Sequence, residues 1–470
     1  MDHPVPVPTR PGPNHDRAAY RQALREIWAR SDYDRGFIAD PFGDRATAER
    51  GLRRVAALLA RLGNPHRRYG ILHVAGSKGK GGTCAMLDAV LRAAGHRVGL
   101  LTSPHLHTFR ERIAIGGAML DESAFAALTR RAVVAADAVA EDDPALGPVT
   151  AFELLTAMAF DAFAAAGCDL AVVEVGLGGT YDATNLVDPV VAAITRLDLE
   201  HVAILGTTLP EIAANKAGIV KAGRPVVVSP QDPAALATIE EIAAARGSRL
   251  LVGGRDWDWA GTSRSFGAIG PWGRHADLRL GLAGPHQVEN ASTALAALWC
   301  LAEAGIAVPE AAIRAGLAAA FQPGRFEVVA GRRGPQVVLD GAHTPASAAA
   351  LAATLDAECA GRRAVVVLAA GGDKDNVALA RALSPIAAAV IATRSRSARA
   401  AAPEAVAAAA RAAGLAADTA PDVAAALDRA TQVAGPKGLI LVTGSLYAVA
   451  EAREALGLAV RDLDPAHTTG

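Results

Sequence analysis

Residues 73–83, HVAGSKGKGGT, combine the residue types that bind the phosphates of a nucleotide. Glycines allow backbone N–H groups to close around an anion, and a helix that follows adds the partial positive charge of its N-terminus. Lys80 would reach the terminal phosphates, and the hydroxyl of Thr83 could bind a magnesium ion. The residues predicted to form this cradle are Gly76, Ser77, Lys78, Gly79, Lys80, Gly81, Gly82 and Thr83.

The spacing of the cradle is GxxGKGxT, which differs from the usual GxxxxGK[ST] because Gly81 follows the lysine. An ordinary glycine-rich turn between a strand and a helix is the alternative interpretation. An apolar strand precedes the glycines and a helical pattern follows from Cys84 to Gly95, so the context favours phosphate binding.

Polar residues also follow two other apolar strands. Glu174 lies at the end of one strand, and Asp198, Glu200 and His201 come just beyond the end of the next. In an open α/β sheet ligands bind where strands end, and magnesium prefers oxygen ligands such as carboxylates. The pattern predicts a metal or phosphate role for Glu174 and His201. A carboxylate paired with an arginine and a structural histidine are the alternatives.

Three further polar residues are ambiguous by themselves. Lys216 lies in a predicted helix, where a solvated surface lysine is the ordinary expectation. Asp340 ends a strand, and His343 comes directly before the start of a helix. These two residues could contact a ribose or a phosphate across a cleft, or they could be no more than a helix start.

Short apolar strands alternate with helical segments from residue 70 onward, which predicts an α/β fold with a mostly parallel sheet covered on both faces. Residues 249–282 interrupt this rhythm with tryptophans and glycines and predict a small antiparallel excursion. A turn at 322–324 separates a second series of strands and helices. The predicted divisions are a tail and leading helix over 1–44, a first domain over 45–322 and a second over 325–470.

The composition excludes several classes of function. The chain of 470 residues carries 47 basic and 48 acidic residues, so nothing indicates attraction to nucleic acid or to a membrane surface. Four cysteines without a CxxC pair are typical of buried thiols in a reducing compartment. The start of the chain is rich in proline and lacks the apolar stretch of a signal peptide, and no apolar run spans a bilayer. We expect a cytoplasmic monomer that binds small molecules.

Taken together, these segments closely resemble the folylpolyglutamate synthase/dihydrofolate synthase family, within the wider Mur ligase superfamily. The resemblance runs from about residue 45 to the end of the chain. The segments that carry it are LGNPHRRYGILHVAGSKGKGGTCAML, TSPHLHTFRERI, FELLTAMAF, VVEVGLGGTYDATN, LGTTLPEIAANKAGIVK, GPHQVENASTAL, PGRFEVV and VLDGAHTP.

The resemblance implies a P-loop-type ATPase domain with a mostly parallel sheet, followed by a smaller Rossmann-like α/β domain. It implies an ATP- and magnesium-dependent ligase that activates a substrate carboxylate as an acyl phosphate, which the amine of L-glutamate then displaces. The carboxylate substrate would be a folate or dihydropteroate. Such chemistry needs a phosphate cradle, cations that neutralise the transferred phosphoryl group and a second domain that positions the amine.

The resemblance also assigns roles to individual residues. Lys80, His201 and Lys216 would be catalytic, with Lys80 stabilising the γ-phosphate during transfer. One or two magnesium ions would be held by Thr83, Glu174, His201 and Lys216, and Lys216 matches a lysine that is carbamylated in the family. Further nucleotide contacts would come from Asn290, Arg325, Asp340 and His343. The substrate-binding residues would be Ser103, Pro104 and Asp182.

Departures from the family pattern leave two other hypotheses open. Gly82 stands where a hydroxyl residue is common, Glu200 stands where an aspartate is typical, and HTPA replaces HNPH after Asp340. Thr180 and Tyr181 stand where an arginine is usual, which removes a cation expected to contact the folate. The chain could therefore be a Mur-type ligase for a different carboxylate and amino acid. It could also be an ATP-binding homologue without ligase activity.

Overall fold

The computed structural model describes residues 13–30, 40, 42–329 and 334–462. The leading helix predicted within residues 1–44 is α1, Pro13–Trp28. The predicted tail at residues 1–12 and the end of the second domain at 463–470 lie outside the described residues.

A large sheet of eight strands lies at the centre of the first domain, in the order β4-β3-β2-β5-β1-β6-β7-β8. The strands are β1 Gly70–Ala75, β2 Val98–Leu101, β3 Ile113–Ile115, β4 Ala118–Met119, β5 Leu170–Glu174, β6 Val191–Ile194, β7 Val226–Val228 and β8 Leu250–Val252. The pairs β2–β3 and β3–β4 are antiparallel, and the other neighbouring strands pair parallel. The central strands are almost entirely apolar because helices cover both of their faces. This sheet confirms the predicted fold class.

Successive residues of β1 face opposite sides of the sheet, as the alternation along a strand requires. Leu72 packs with Leu87 and Leu295 in one core, and Ile71 packs with Leu58 and Leu155 in the other. The helices of this domain are α2 Arg45–Arg61, α3 Lys80–Ala93, α4 Glu122–Asp142, α5 Ala151–Ala165, α6 Val202–Leu205, α7 Leu209–Lys216, α8 Pro233–Ala245, α9 Pro285–Glu303 and α10 Glu310–Ala319. With one core on each side, the sheet holds the C-terminal ends of β1, β5 and β6 at a common edge.

Within the predicted excursion at 249–282 lies a separate antiparallel three-stranded sheet in the order β11-β10-β9, but the first strand of this range, β8, pairs parallel in the large sheet. The strands of the small sheet are β9 Asp258–Thr262, β10 Ser265–Gly270 and β11 Gly273–Leu278. The loop between β9 and β10 reaches the second domain, where Arg264 Nε and Ser263 Oγ donate to the carboxylate of Glu358 at 2.9 and 2.6 Å.

The second domain contains a six-stranded sheet in the order β12-β13-β17-β14-β15-β16, in which only β12 and β13 pair antiparallel. The strands are β12 Glu327–Val329, β13 Gln336–Leu339, β14 Ala364–Leu368, β15 Ala387–Ala392, β16 Ala417–Thr419 and β17 Leu439–Thr443. The helices are α11 Pro345–Glu358, α12 Asn376–Leu383, α13 Pro403–Ala412, α14 Val423–Ala434 and α15 Leu446–Ala455. Among the described residues, no helix is both long and apolar enough to cross a membrane.

Near the end of the described residues the chain returns to the first domain. The hydroxyl of Tyr20 in α1 donates to the carboxylate of Asp462 at 2.7 Å, and the Asp462 N–H donates to the carbonyl of His107 at 2.9 Å. His107 Nε2 also donates to the carbonyl of Ala450 in α15 at 3.1 Å. These bonds join the two domains at a point distant in sequence from the linker.

Candidate active site

A single large cleft of about 1380 Å³ is lined by residues of both domains. From the first domain come the loops that follow β1, β5 and β6, and from the second domain comes the loop that follows β13. Pockets for one small molecule usually measure about 300–1,000 Å³. The cleft therefore has room for more than one substrate at a time.

The cradle between β1 and α3 depends on glycine at two positions. Gly76 has φ +147°, and a Cβ there would lie 1.9 Å from Thr195 Oγ1. Gly79 has φ +94°, and a Cβ there would lie 2.2 Å from Asn290 Oδ1. Because Gly79 caps α3 without a side chain, the amides of the first helical turn face no capping group of their own. This arrangement is that of an anion site at a helix N-terminus.

Not every predicted cradle residue offers its amide to a ligand. The N–H groups of Ser77 and Lys78 both donate to the carbonyl of Arg196 at 3.0 Å. The Ser77 hydroxyl donates to the carbonyl of Asp198 at 3.1 Å. Ser77 and Lys78 line the cleft with their side chains, while the amides at the start of α3, from Lys80 on, are those placed for phosphate.

Two ammonium groups converge on one backbone oxygen of the cradle. Lys80 Nζ donates to the Gly76 carbonyl at 2.8 Å, and Lys216 Nζ donates to the same oxygen at 2.9 Å. Lys216 Nζ also contacts Glu200 Oε1 at 3.1 Å, and Lys78 Nζ lies 3.5 Å from Glu200 Oε2. Burial favours the protonated form of Glu200, but Lys216, Lys80 and Lys78 bring its pKa below the ordinary value. The result is a compact cluster of charges beside the phosphate cradle.

The expectation that Lys216 is a solvated surface lysine is wrong. Its side chain is only 2% exposed because the end of α7 packs against the cradle loop. Burial, together with the charge of Lys80, lowers the pKa of Lys216 to about 8. The structure thus brings Lys216 to Lys80, as the family resemblance implies and as the local sequence pattern did not indicate.

Thr83 and Glu174 offer oxygen ligands where a magnesium ion is expected. The Thr83 hydroxyl is fully buried and has no hydrogen-bond partner among the described residues. Glu174 is 5% exposed and accepts a bond from the Ser103 N–H at 3.2 Å; burial raises its pKa, and Lys80 opposes that effect. A buried hydroxyl without a partner and a buried carboxylate next to a phosphate site fit magnesium, which prefers hard oxygen ligands.

The described part of the chain contains no group of three or more His, Cys, Asp or Glu residues that could hold a metal. A magnesium ion here would therefore depend on few protein ligands together with phosphate oxygens and water, as is usual for this ion. His201 lines the same cleft and caps α6 with φ +48°. Burial lowers its pKa, and the resulting neutral imidazole is the form that binds metals.

The predicted nucleotide contacts of the second domain also line the cleft. Asp340 accepts bonds from the N–H groups of Phe326 at 2.8 Å and Ala342 at 2.9 Å, with Arg325 close enough to oppose the rise in the pKa of Asp340 that burial causes. His343 Nδ1 donates to the Gly341 carbonyl at 2.9 Å, which leaves Nε2 as the acceptor of a neutral ring.

Asn290, in α9, lies against the cradle from the first domain. Its Nδ2 donates to Gln287 Oε1 at 2.9 Å, and both side chains are buried. A Cβ on Gly82 would lie 2.5 Å from Gln287 Oε1, so the side chain of Gln287 fills the space beside that glycine. Sequence reasoning did not assign Gln287 a role, although its place in the HQVEN segment next to Asn290 was a usable signal.

The predicted substrate residues all line the cleft, but they differ in whether their side chains already have hydrogen-bond partners. Ser103 and Pro104 line it directly. The carboxylate of Asp182 is taken up by its own loop, since Oδ2 accepts from the Leu177 N–H at 2.9 Å and Oδ1 accepts from the N–H and hydroxyl of Thr184 at 2.9 and 2.5 Å. A direct contact between Asp182 and a substrate stays a prediction.

Sequence reasoning also missed an aromatic part of the cleft and a buried cation. On the first-domain side, this part is lined by Trp28, Phe42, Phe109, Phe152 and Tyr181. Arg112, which is 2% exposed, lies over the Phe109 ring and donates to His105 Nδ1 at 3.0 Å. Trp28 and Phe42 precede the region of family resemblance, so no motif could have identified them.

Residues 144–298 match the Mur ligase middle domain, and residues 324–446 match the Mur ligase, glutamate ligase domain. The chain is 37% identical over 349 residues to the dihydrofolate synthase/folylpolyglutamate synthase of Bacillus subtilis, which covers 72% of this chain and 80% of that protein. It is 39% identical over 435 residues to a probable bifunctional folylpolyglutamate synthase/dihydropteroate synthase of Haloferax volcanii, covering 89% of this chain. The match spans 50% of the length of that relative.

Solved structures match most of the chain. The folylpolyglutamate synthase of Mycobacterium tuberculosis complexed with ADP superposes with a TM-score of 0.84 at 33% identity, over 95% of this chain and 100% of that one. The Escherichia coli FolC structure with DHPP and ADP has a TM-score of 0.76 at 33% identity, over 86% of this chain and 92% of that one. These findings confirm the resemblance: the chain belongs to the folylpolyglutamate synthase/dihydrofolate synthase family, within the Mur ligase superfamily.

Proposed function

We propose that the chain is an ATP-dependent ligase that joins L-glutamate to dihydropteroate, to a folate or to both. The observation that carries this proposal is the convergence of Lys80 and Lys216 on the Gly76 carbonyl, within a cleft large enough for a nucleotide and an organic acid. The names of the relatives and the ADP in two matching structures support the same activity. The predicted domain boundaries at 44/45 and 322–325 are part of this proposal.

The reaction has two steps. An oxygen of the substrate carboxylate attacks the γ-phosphorus of ATP, the bond to the bridging oxygen breaks, and ADP leaves. The amine of glutamate then attacks the acyl carbon, inorganic phosphate leaves, and the amine gives up a proton. Lys80 neutralises the equatorial oxygens of the phosphoryl group during the first step, and the helix start at α3 binds the phosphates.

Magnesium would be held by Thr83, Glu174 and His201, and when bound it would neutralise charge on the β- and γ-phosphates. We also propose that Lys216 becomes carbamylated, by attack of its neutral amine on CO2 with release of one proton. The lowered pKa of Lys216, which burial causes, supplies the neutral amine near pH 8. Carbamylation would turn the residue into a further oxygen ligand.

The second domain would close the site over the nucleotide. Arg325, Asp340 and His343 lie on its side of the cleft, and Asn290 lies opposite them next to Gly79. We propose that these residues contact ATP and that Ser103, Pro104 and Asp182 help to place the acid substrate. We further propose a monomeric, cytoplasmic enzyme without nucleic-acid or membrane partners, in keeping with its nearly balanced charge.

The experiment that tests the function is an ADP-release assay with ATP, magnesium and L-glutamate. Dihydropteroate, tetrahydrofolate and no acceptor are compared, and the product is identified by mass. We expect ADP release that depends on a pterin acceptor and a mass increase of one glutamyl residue. ATP binding without acceptor-dependent ADP release would favour the non-catalytic homologue.

A Mur-type ligase for another carboxylate is the second candidate, and one observation favours it. Thr180, at the position where the family usually has an arginine, does not line the cleft and adds no cation to it. Activity with other carboxylates in the same assay, together with none for either pterin, would support this candidate over the first.

A further inference from the structure

The loop that follows β5 lies in close backbone contact with the end of α7. A Cβ on Gly179 would lie 2.6 Å from the carbonyl oxygen of Lys216, and a Cβ on Gly218 would lie 2.1 Å from Thr180 Oγ1. Real side chains do not approach so closely, so glycine is required on both sides of this contact. The loop therefore touches the backbone on both sides of Lys216.

Thr180 binds this segment with two donors. Its N–H donates to the carbonyl of Asn215 at 2.9 Å, and its hydroxyl donates to the same oxygen at 2.8 Å. Asn215 immediately precedes Lys216, whose ammonium reaches the cradle at Gly76. One rigid peptide unit thus separates the atom that Thr180 holds from the residue that contacts the cradle.

Asn185 and Lys221 fix the position of Thr180 in turn. Asn185 Nδ2 donates to the carbonyls of Thr180 at 2.9 Å and Gly218 at 3.2 Å. Lys221 Nζ donates to both the backbone oxygen and the side-chain oxygen of Asn185, at 2.7 and 2.9 Å. Because the ammonium can only donate, it determines which end of the Asn185 amide faces the loop. Lys221 does not line the cleft, so it acts on the site through these contacts.

We propose that Thr180 is a positioning residue for Lys216, whose helix end it supports through two hydrogen bonds to the Asn215 carbonyl. The inference rests on the proposed ligase function. An arginine at position 180 would lose this hydroxyl bond, because the Thr180 hydroxyl donates to the Asn215 carbonyl and lies beside Gly218.

The test compares Thr180→Val, which removes the hydroxyl at nearly constant shape, with Thr180→Ser, which keeps it, and with Thr180→Arg. We measure kcat, the KM values for acceptor and ATP, and the magnesium dependence of binding of a nonhydrolysable ATP analogue. Thr180→Val should lower kcat about 10-fold or more while the acceptor KM stays within about 2-fold, since a displaced catalytic group costs rate. Thr180→Ser should restore most of the activity, and Thr180→Arg should be the least active.

A second pair of variants covers the case in which Thr180→Val does not fold. Lys221→Met should reproduce the loss of kcat at unchanged acceptor KM, and Lys221→Arg, which keeps the donors, should restore most of it. The inference is overturned if Thr180→Val raises the acceptor KM at constant kcat, if Thr180→Arg improves turnover, or if these variants match the wild type.

The outcomes also separate this inference from the proposed function. A wild-type chain without pterin-dependent ADP release contradicts the ligase assignment, while the analogue-binding measurement still tests the support of Lys216. In that case, weaker magnesium-dependent binding by Thr180→Val with recovery in Thr180→Ser supports the positioning role, and equal binding by all variants refutes it.

Discussion

The two walls of the cleft are built in different ways. On the first-domain wall, three polar groups bond to partners far away in sequence, Lys216 to Gly76, Glu174 to Ser103 and Ser77 to Asp198, although Lys80 and Asp182 bond locally. On the second-domain wall, the polar groups bond to partners that are nearer in sequence. Asp340 accepts from Ala342 at its own turn and from Phe326, 14 residues earlier, and His343 bonds to Gly341.

This difference indicates that the two walls contribute to different steps, one to the reaction and the other to nucleotide binding. The groups of the first wall exist in their arrangement only when the large sheet and its helices are packed, so they are preorganised for a charge that develops during reaction. The bonds of Asp340 and His343 described here lie within the second domain, so they do not depend on the packing of the large sheet. We therefore expect substitutions in the first wall to lower kcat, and substitutions in the second wall to act mainly on nucleotide affinity.

The largest effect is expected for Lys80→Ala. The loss of the cation proposed to face the transferred phosphoryl group should lower kcat by about 10³-fold or more, with the fold intact. ADP release measures the effect, and circular dichroism with thermal unfolding verifies the fold. Lys437→Ala removes an exposed lysine outside the cleft and is the matched control, for which we expect wild-type turnover. Unchanged turnover of Lys80→Ala would refute the role of the cradle.

A smaller but still large effect is expected for Glu174→Gln. The amide keeps the size of the side chain and an oxygen for the Ser103 N–H, but it removes the negative charge proposed to bind magnesium. We expect kcat to fall about 10²-fold and the half-saturating magnesium concentration to rise. A variant with reduced kcat but an unaltered magnesium requirement would show that Glu174 does not serve the metal.

Asp340→Asn should have a moderate effect, on the KM for ATP and not on kcat. An amide has one oxygen instead of two, so either the Phe326 or the Ala342 N–H loses its acceptor and the turn at the second wall loosens. We expect the KM for ATP to rise about 10-fold while kcat stays within about 3-fold. Steady-state kinetics with varied ATP provide the measurement, and a pure kcat effect would remove the distinction between the walls.

The smallest effect concerns the pH dependence of stability. Burial lowers the pKa of Lys216 to about 8, whereas an unfolded lysine has a pKa of about 10.4. Between these values the unfolded chain binds more protons at this position, so the folded state gains stability as the pH rises. Below about pH 8 both states are protonated and the destabilising effect of the buried ammonium is fully present.

Relative to Lys216→Met, the Tm of the wild type should therefore rise by a few degrees between about pH 7 and pH 10, in buffer free of bicarbonate. Using the difference between the two proteins removes the contribution of the other lysines. A difference that does not vary with pH would show that Lys216 is not buried as a cation in solution.

The cradle and the central strands were predictable from the sequence because their signals are local. β1 and β5 are short apolar runs that the sequence marks directly, and the glycines after β1 indicate the turn into α3. The strands β3, β4, β8 and β16 were not predicted, since they are two or three residues long and carry little periodicity. Their pairing depends on neighbours that the local pattern does not reveal.

The burial of Lys216 was not predictable from its helix. The pattern around it is that of an ordinary surface helix, and the residue is covered only because α7 meets the cradle loop and the loop after β5. The same holds for Trp28 and Phe42, whose place in the cleft follows from the packing of the N-terminal segment and not from any spacing. Tertiary contacts between distant segments determine these positions. The family resemblance could predict the place of Lys216, which lies in a motif, but not the places of Trp28 and Phe42, which do not.

The return of the chain to the first domain limits how the enzyme can open. The second domain is attached covalently near residues 320–325 and again through the bonds of Tyr20 and His107 to Asp462. Ser263 and Arg264 also bond to Glu358, and His107 bonds to Ala450. An opening of the cleft wide enough to separate these partners would therefore break hydrogen bonds on more than one side of the second domain.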